Sequence, residues 1–181
     1  MLASYFLLPA LALASPAAEL YKRSGASITQ AIGYINNNIT TVNNTLNTFN
    51  KPKDAITALT LQIETESLIK SVNNAASVCK DSAPLSDSES FDVATAVLNL
   101  QPNINSLLDN LVAHKPQFMT ALFGFSADPI VKVDLVNAKK GADDFGTALT
   151  PKLTATYQGA APVIIQQIDD KFDQAIAAFS S

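Results

Sequence analysis

The sequence has 181 residues, of which 48% are hydrophobic and 15% are charged, and its formal net charge is −4. Because a nucleic-acid-binding face needs basic residues, this acidic balance argues against DNA or RNA as a partner. One Cys and one His exclude an internal disulfide, a Cys-built zinc site and a two-His metal site. We therefore expect a folded domain that carries no metal and no other cofactor.

The first fourteen residues, MLASYFLLPALALA, have no charged side chain and form an apolar run that ends in small residues. The run is shorter than the roughly 20 apolar residues of a membrane-spanning helix, and it matches the apolar region of a secretory signal peptide. Cleavage fits before Ser15 or before Ala18, and we assign residues 1–17 to the signal peptide. The sequence thus predicts an extracellular, secreted protein and not a transmembrane one.

A basic pair, Lys22-Arg23, follows the predicted signal peptide. The pair resembles the processing site of kexin-like proteases, which would make residues 18–23 a pro-segment and Ser24 the first residue of the mature chain. A short basic linker is the alternative interpretation. The end of the sequence, IDDKFDQAIAAFSS, is charged and amphipathic and does not resemble a GPI-anchor signal. We therefore expect a protein that is released, or that is held in a cell wall by weak contacts.

Apolar residues recur every three or four positions along most of the remaining chain, which is typical of amphipathic helices. From Ile28 to Phe49 they form one stripe with Asn and Thr between them, and Asp54 suits the opening turn of a second helix. Between Ile56 and Cys79 the apolar positions cover two neighbouring stripes. This wide arc predicts a central position for the second helix.

The third apolar run begins after Ser86-Asp87-Ser88-Glu89, which has the pattern of a capping box. Pro102 interrupts this run and predicts either a kink or two abutting helices. Further helices are predicted from Pro129 and over roughly residues 161–179, and no strand-like alternation occurs. We therefore expect an all-α fold, a single antiparallel bundle of about five amphipathic helices that spans residues 24–181.

Three segments of the chain resemble one known family. They are the Asn/Thr-rich first helix behind the signal peptide, the segment INSLLDNLVAHKPQF (104–118) and the closing segment IIQQIDDKFDQAIAAF (164–179). Together they are similar to the fungal hydrophobic surface-binding protein A family, which includes the cell-wall galactomannoproteins. The resemblance implies a secreted, helical, non-catalytic protein that adsorbs to hydrophobic surfaces and recruits a secreted esterase or cutinase, or one that encloses fatty acids in an internal tunnel.

We therefore expect a secreted protein that binds hydrophobic surfaces or fatty-acid-like lipids through its apolar interior or its apolar helix faces. The alternative function is that of a structural or antigenic cell-wall mannoprotein without a specific ligand, in contact with cell-wall polysaccharide. The chain has no G-x-S-x-G motif, no P-loop and no G-x-G-x-x-G motif. We therefore predict that it is not an enzyme and we assign no catalytic residues.

Large apolar side chains in the second half of the chain are the candidate ligand contacts. They are Phe91, Leu98, Phe118, Leu122, Phe123, Phe125, Phe145 and Phe172. Core packing alone also accounts for Phe at helical spacing. The segment 118–125 is the strongest candidate because it places much apolar surface in a short piece between helices, where it could serve as a gate or as a docking tip.

The remaining residues of interest are polar. Asn38 and Asn43 begin N-glycosylation sequons, and both lie off the apolar stripe of the first helix, so we expect them to be accessible to solvent. Cys79 lies on the apolar stripe of the second helix, which predicts a buried thiol; an intermolecular disulfide is the alternative. His114 stands at a predicted helix end, where a structural role is expected.

Two adjacent acidic pairs, Asp143-Asp144 and Asp169-Asp170, also occur. Neighbouring residues on a helix point about 100° apart, so neither pair forms a facing dyad by itself. Both pairs are therefore predicted to lie on solvated helix faces.

Overall fold

The computed structural model describes residues 24–51 and 53–180. The predicted signal peptide and the Lys22-Arg23 site lie outside these residues. Five long helices and three short elements make up the described part, which contains no strand. In chain order they are α1 (Gly25–Thr48), α2 (Ala55–Asp81), α3 (Asp87–Ala113), α4 (Lys115–Phe118), α5 (Asp128–Leu149), a 3₁₀ turn (Thr150–Lys152), α6 (Ala155–Gln158) and α7 (Ala161–Ala178). The all-α prediction is confirmed.

The five long helices form a closed ring. Helix α1 packs against α2 and α3, α5 packs against α2 and α7, and α7 completes the ring by packing against α3. Because a ring has no central member, the prediction of a central α2 is wrong. Two residues of the second apolar stripe of α2 face outward: Ile56 and Ile63 are 82% and 59% exposed.

Consecutive long helices run antiparallel, as predicted, but ring closure also brings helices together that are not consecutive. These pairs run parallel. Between α3 and α1, Asn103 Nδ2 donates to Asn36 Oδ1 (2.7 Å). Two helical turns later in both helices, Asn110 Nδ2 donates to Asn43 Oδ1 (2.8 Å) and to Asn47 Oδ1 (3.0 Å). This amide ladder explains why α1 is rich in Asn on the face beside its apolar stripe.

The start of α3 holds the start of α1. The predicted capping box is present: the Ser86 hydroxyl accepts from the Glu89 amide, and Glu89 Oε2 accepts from the Ser86 amide. The other carboxylate oxygen of Glu89 accepts from the Gly25 amide at 3.0 Å. Hydrogen bonds from Ser86 and Gly25 lower the pKa of Glu89. Helix α3 then continues through Pro102 as one helix, so of the two alternatives the abutting helices are not formed.

Apolar side chains close the far end of the ring. The rings of Phe49 at the end of α1 and Phe118 in α4 meet edge to face, with centroids 4.8 Å apart, and Phe179 after α7 contacts Phe118 in the same way at 5.9 Å. Cys79 is fully buried, as predicted, and burial raises its pKa to about 12, so the thiol stays protonated. His114 ends α3, and its Nδ1 lies 2.8 Å from the Asn110 carbonyl oxygen.

None of the described helices combines the length and the hydropathy that crossing a bilayer requires.

Replacing Glu89 by Ala tests the shared cap. Loss of a helix cap costs about 1–2 kcal/mol, so we expect the free energy of unfolding at neutral pH, measured in urea, to fall by that amount. Because the folded-state pKa of Glu89 is lowered, its contribution is present above the unfolded pKa of about 4.3 and is lost as the pH falls through the folded value. Asp92→Ala, an exposed acid on the same helix, should change stability by less than about 0.5 kcal/mol. Equal effects of the two substitutions would contradict the shared cap.

Candidate functional site

The inside of the ring holds two adjoining apolar cavities. The large cavity, about 450 Å³, lies between α1, α2, α3 and α5 toward α4. The small cavity, about 230 Å³, lies between α3, α5 and α7 toward α6. Four residues, one from each of α1, α2, α3 and α5, line both cavities and separate them: Ile35, Val72, Ile104 and Ala142. The lining of the two cavities is continuous along the inside of the ring.

The polar side chains of the large cavity are few and uncharged or acidic. Gln62 and Thr65 come from α2 and Asp134 from α5. Burial raises the pKa of Asp134. The hydrogen bond with Gln62 lowers this pKa, and the charge of Glu66 raises it further, so that the net direction is upward. Because the Gln62–Asp134 contact joins α2 to α5, these groups form a short polar strip in an otherwise hydrocarbon wall.

An acidic pair lines the small cavity. Asp143 on α5 meets Asp169 on α7, and burial followed by the hydrogen bond and charge of Asp169 raises the pKa of Asp143 to about 6. One oxygen of each carboxyl, Oδ1, is inaccessible to solvent and receives no donor from the described residues. Two facing carboxylates in such a place are compatible with one shared proton. Lys139 lies nearby, with Nζ 3.0 Å from Asp173 Oδ1 and 4.0 Å from Asp169 Oδ1.

This pair corrects the prediction of two solvated acidic faces. Asp144 and Asp170 do lie outward, where they bond Lys140 and Gln166. Asp143 and Asp169 turn inward instead, since each is the member of its adjacent pair that faces the neighbouring helix.

Close helix packing accompanies the acidic pair. A Cβ atom on Gly146 would lie 2.9 Å from Ile165 Cδ1. The absence of a side chain at position 146 therefore lets α7 lie directly against α5 beside the small cavity.

The predicted contact residues fall into three places. Phe118, Leu122 and Phe172 line the large cavity, and Phe91, Leu98 and Phe145 line the small one. Phe123 and Phe125 line neither cavity and are 85% and 77% exposed. The structure thus brings six of the eight predicted residues to the cavities and leaves two on the surface. Whether they bind a ligand stays a prediction.

The two exposed phenylalanines form the tip of a tight turn. The Leu122 amide donates to the Phe125 carbonyl (3.1 Å) and the Phe125 amide donates to the Leu122 carbonyl (2.9 Å). Phe123 (φ 54°) and Gly124 (φ 98°) both have positive φ, the combination of a type I′ turn. Asn or Gly suits the first of these positions, whereas a bulky residue with positive φ is strained. Folding alone does not explain a strained, exposed Phe.

The two predicted glycosylation residues lie on α1 and are half-buried. The Asn38 side chain donates to the Tyr34 carbonyl, and Asn43 belongs to the amide ladder. Their glycosylation stays a prediction.

Sequence reasoning missed the polar cavity residues Gln62, Thr65 and Asp134 and the pairing of Asp143 with Asp169. The only available signal was a polar residue beside an inward-facing apolar stripe. Within the described ranges no group of three or more His, Cys, Asp and Glu could hold a metal ion. What the arrangement can do chemically is to enclose a hydrocarbon chain and offer it carboxyl, amide and hydroxyl groups.

Comparison with known proteins gives one family and several similar structures. The family model of hydrophobic surface binding protein A matches residues 25–151. Afmp4p, crystallised in complex with palmitic acid, is 31% identical with a TM-score of 0.81, over 86% of this chain and 99% of the Afmp4p chain. No curated protein sequence matches the chain.

Two further structures share the fold at lower identity. Ligand binding domain 1 of the Penicillium marneffei MP1 protein, complexed with arachidonic acids, is 20% identical with a TM-score of 0.77, over 87% of this chain and 99% of that domain. Ligand binding domain 2, complexed with multiple arachidonic acids, is 19% identical with a TM-score of 0.78, over 89% and 99%. At these identities the likeness shows the fold alone.

Asp143→Asn tests the shared proton. The folded-state pKa of Asp143 is raised from 3.8 to about 6, so its protonated form contributes stability that is fully present below the unfolded pKa and is lost as the pH rises through about 6. We expect the Tm of the unaltered protein to fall, relative to that of Asp143→Asn, between about pH 4 and about pH 7. Asp170→Asn, an exposed control on α7, should keep the unaltered pH dependence. A Tm profile of Asp143→Asn that parallels the unaltered protein would disprove the pairing.

Proposed function

The chain belongs to the hydrophobic surface binding protein A family, and we propose that it is a secreted, non-catalytic protein that holds the hydrocarbon chain of a fatty acid inside its helical ring. The observation that carries this proposal is the pair of adjoining apolar cavities, about 450 and 230 Å³. Sites for small molecules usually have volumes of about 300–1,000 Å³, apolar walls and a few polar groups. The large cavity falls in this range of volume, and both cavities have apolar walls with a few polar groups.

The energetics favour a hydrocarbon occupant. Each methylene group moved from water into an apolar site contributes about 0.8 kcal/mol, so twelve of them contribute roughly 10 kcal/mol before the cost of ordering the ligand. A ligand that binds the folded protein and not the unfolded chain also stabilises the fold.

The relatives support the same ligand class. Afmp4p was crystallised with palmitic acid, and the two MP1 domains, which share the fold, with arachidonic acids. Since the cavities here have hydrocarbon walls along their length, saturated and unsaturated chains of similar apolar volume should bind with similar affinity.

Export is part of the proposal. Residues 1–17 would direct secretion, residues 18–23 would be removed at Lys22-Arg23, and residues 24–181 would form the mature domain. Contact with cell-wall polysaccharide and recruitment of a secreted esterase or cutinase belong to the proposal on family membership alone, and glycosylation of Asn38 and Asn43 belongs to it because both residues begin sequons.

A specific observation favours a second activity, adsorption to hydrophobic surfaces. The turn places exposed Phe123 and Phe125 beyond the end of the ring, and the segment 116–127 that contains them has no ionisable side chain. An exposed apolar patch without charges has little to desolvate when it meets wax or plastic. The strained φ of Phe123 opposes folding, and a Phe at this position is therefore consistent with a role of its side chain in binding.

Filling the large cavity tests fatty-acid binding. Ala138 lines this cavity, so Ala138→Trp should occupy the space of the ligand and lower palmitic acid binding at least about tenfold, while the Tm holds or rises because a void is filled. Ala113→Trp places the same side chain on an exposed position of α3 and should bind as the unaltered protein does.

Native mass spectrometry of protein purified from culture medium, and again after delipidation and addition of palmitic acid, measures both effects. A protein that stays empty in both experiments would refute the carrier function. The alternative function, that of a cell-wall mannoprotein without a specific ligand, would then remain. Equal binding by Ala138→Trp and the control would exclude the large cavity as the site.

Phe123→Asn tests the docking tip. Asn-Gly is a preferred pair in a type I′ turn, so the substitution should hold or raise the Tm and leave the helical content unchanged. Adsorption to polystyrene beads should nevertheless fall severalfold, because the substitution removes the more exposed of the two phenylalanine side chains of the tip. Val163→Asn removes an exposed apolar side chain from α7 and serves as control. Unchanged adsorption by Phe123→Asn would show that the tip is not the contact.

A further inference from the structure

The two cavities lack any positive charge. No Lys, Arg or His is among the residues that line them, all of which belong to the described part of the chain. Their acidic residues are Asp134 in the large cavity and Asp143 and Asp169 in the small one. A site built to hold an ionised carboxylate would ordinarily offer a cation or several convergent N–H donors.

An ionised fatty acid whose carboxylate entered the ring would therefore meet two penalties. Its carboxylate would lose water without gaining a counter-ion, which is costly in an apolar medium. It would also lie near an aspartate of the same sign, and repulsion grows as the local dielectric constant falls. A neutral polar group that can donate a hydrogen bond meets neither penalty, because an aspartate oxygen can accept that hydrogen bond.

The charged groups around these aspartates do not relieve the penalties. Asp134 faces Gln62 and Glu66 on α2. Asp143 faces Asp169 on α7, with Lys139 and Asp144 on its own helix. The one cation of this group, Lys139, already lies between Asp169 and Asp173 and is absent from the lining of both cavities. The lining residues that α1 and α3 contribute are uncharged.

We propose that the cavities select single-chain lipids by the charge of the polar end: they admit a neutral hydrogen-bond donor, such as a long-chain alcohol or a protonated fatty acid, and they exclude the ionised carboxylate. Asp134 and Asp143 are the specificity-determining residues, since each places an acceptor in an apolar wall. The selection presupposes the lipid binding proposed above and narrows its ligand class.

The selection predicts how the affinity of each ligand depends on pH. An alkyl carboxyl group ionises near pH 4 to 5, as Glu does at about 4.3. If only the neutral acid binds, its apparent affinity falls roughly tenfold for each pH unit above that value, because the competent fraction of the ligand falls. A long-chain alcohol has no charge to lose, so its affinity stays level.

The experiment measures displacement of the neutral fluorophore N-phenyl-1-naphthylamine from the delipidated secreted protein. Competitors are 1-dodecanol, dodecanoic acid and methyl dodecanoate at about pH 5 and about pH 7. We expect dodecanoic acid to lose roughly 100-fold in affinity between these conditions, while the alcohol and the ester change less than about twofold and the alcohol binds more tightly than the ester. Dodecanoic acid binding that is equal at both pH values would overturn the proposal and leave lipid binding intact.

Paired substitutions test the aspartates. In the double variant Asp134→Asn, Asp143→Asn two of the three cavity carboxyls are gone and the repulsion is reduced, so dodecanoic acid affinity near pH 7 should rise at least about tenfold, one pKa unit of interaction. The matched double variant Asp144→Asn, Asp170→Asn changes outward-facing aspartates on α5 and α7 and should bind as the unaltered protein does. Equal affinities in the two double variants would overturn the role of the aspartates. Failure of every competitor and of the fluorophore to bind would refute lipid binding itself.

Discussion

Five helices in a ring cannot fill the space that they enclose, and this constraint underlies the rest of the molecule. Helix axes packed about 9 Å apart at the corners of a regular pentagon lie about 8 Å from its centre, whereas a helix with its side chains has a radius of about 5 Å. The gap that remains is about the width of one hydrocarbon chain. Inward-facing Ile, Leu and Val side chains narrow it and, near Ile35 and Ile104, divide it into two cavities.

Ring closure also decides which polar groups meet. It makes α1 and α3 parallel neighbours, and amides that are remote in sequence then align at the same helical spacing. It brings α7 against α5, where Gly146 permits close approach and Asp143 meets Asp169. Both the amide ladder and the carboxyl pair are therefore products of tertiary arrangement and not of local sequence.

This origin explains what the sequence could predict. The helices follow from apolar periodicity, and the capping box at Ser86 was visible because it is local. The wide apolar arc of α2 predicts a central helix, but a helix can expose part of an apolar stripe when the ring turns it outward, as Ile56 and Ile63 show. The eight candidate contacts shared one chemical character, so composition could not divide them between two cavities and a surface turn. Asp143 and Asp169 lie in separate helices, and no spacing rule relates them.

Two walls of the ring are held together by contacts of different chemistry: neutral amides join α1 to α3, and charged groups join α5 to α7. Hydrogen bonds between neutral amides such as those of Asn43 and Asn110 neither titrate nor weaken through ionic screening. The wall formed by α5 and α7 instead depends on Lys139 and its aspartate neighbours, whose interactions respond to both acidity and salt. In changing surroundings the amide ladder therefore keeps α1 and α3 in register, whereas the contact between α5 and α7 is compliant and is one place where acidity and salt act on the container.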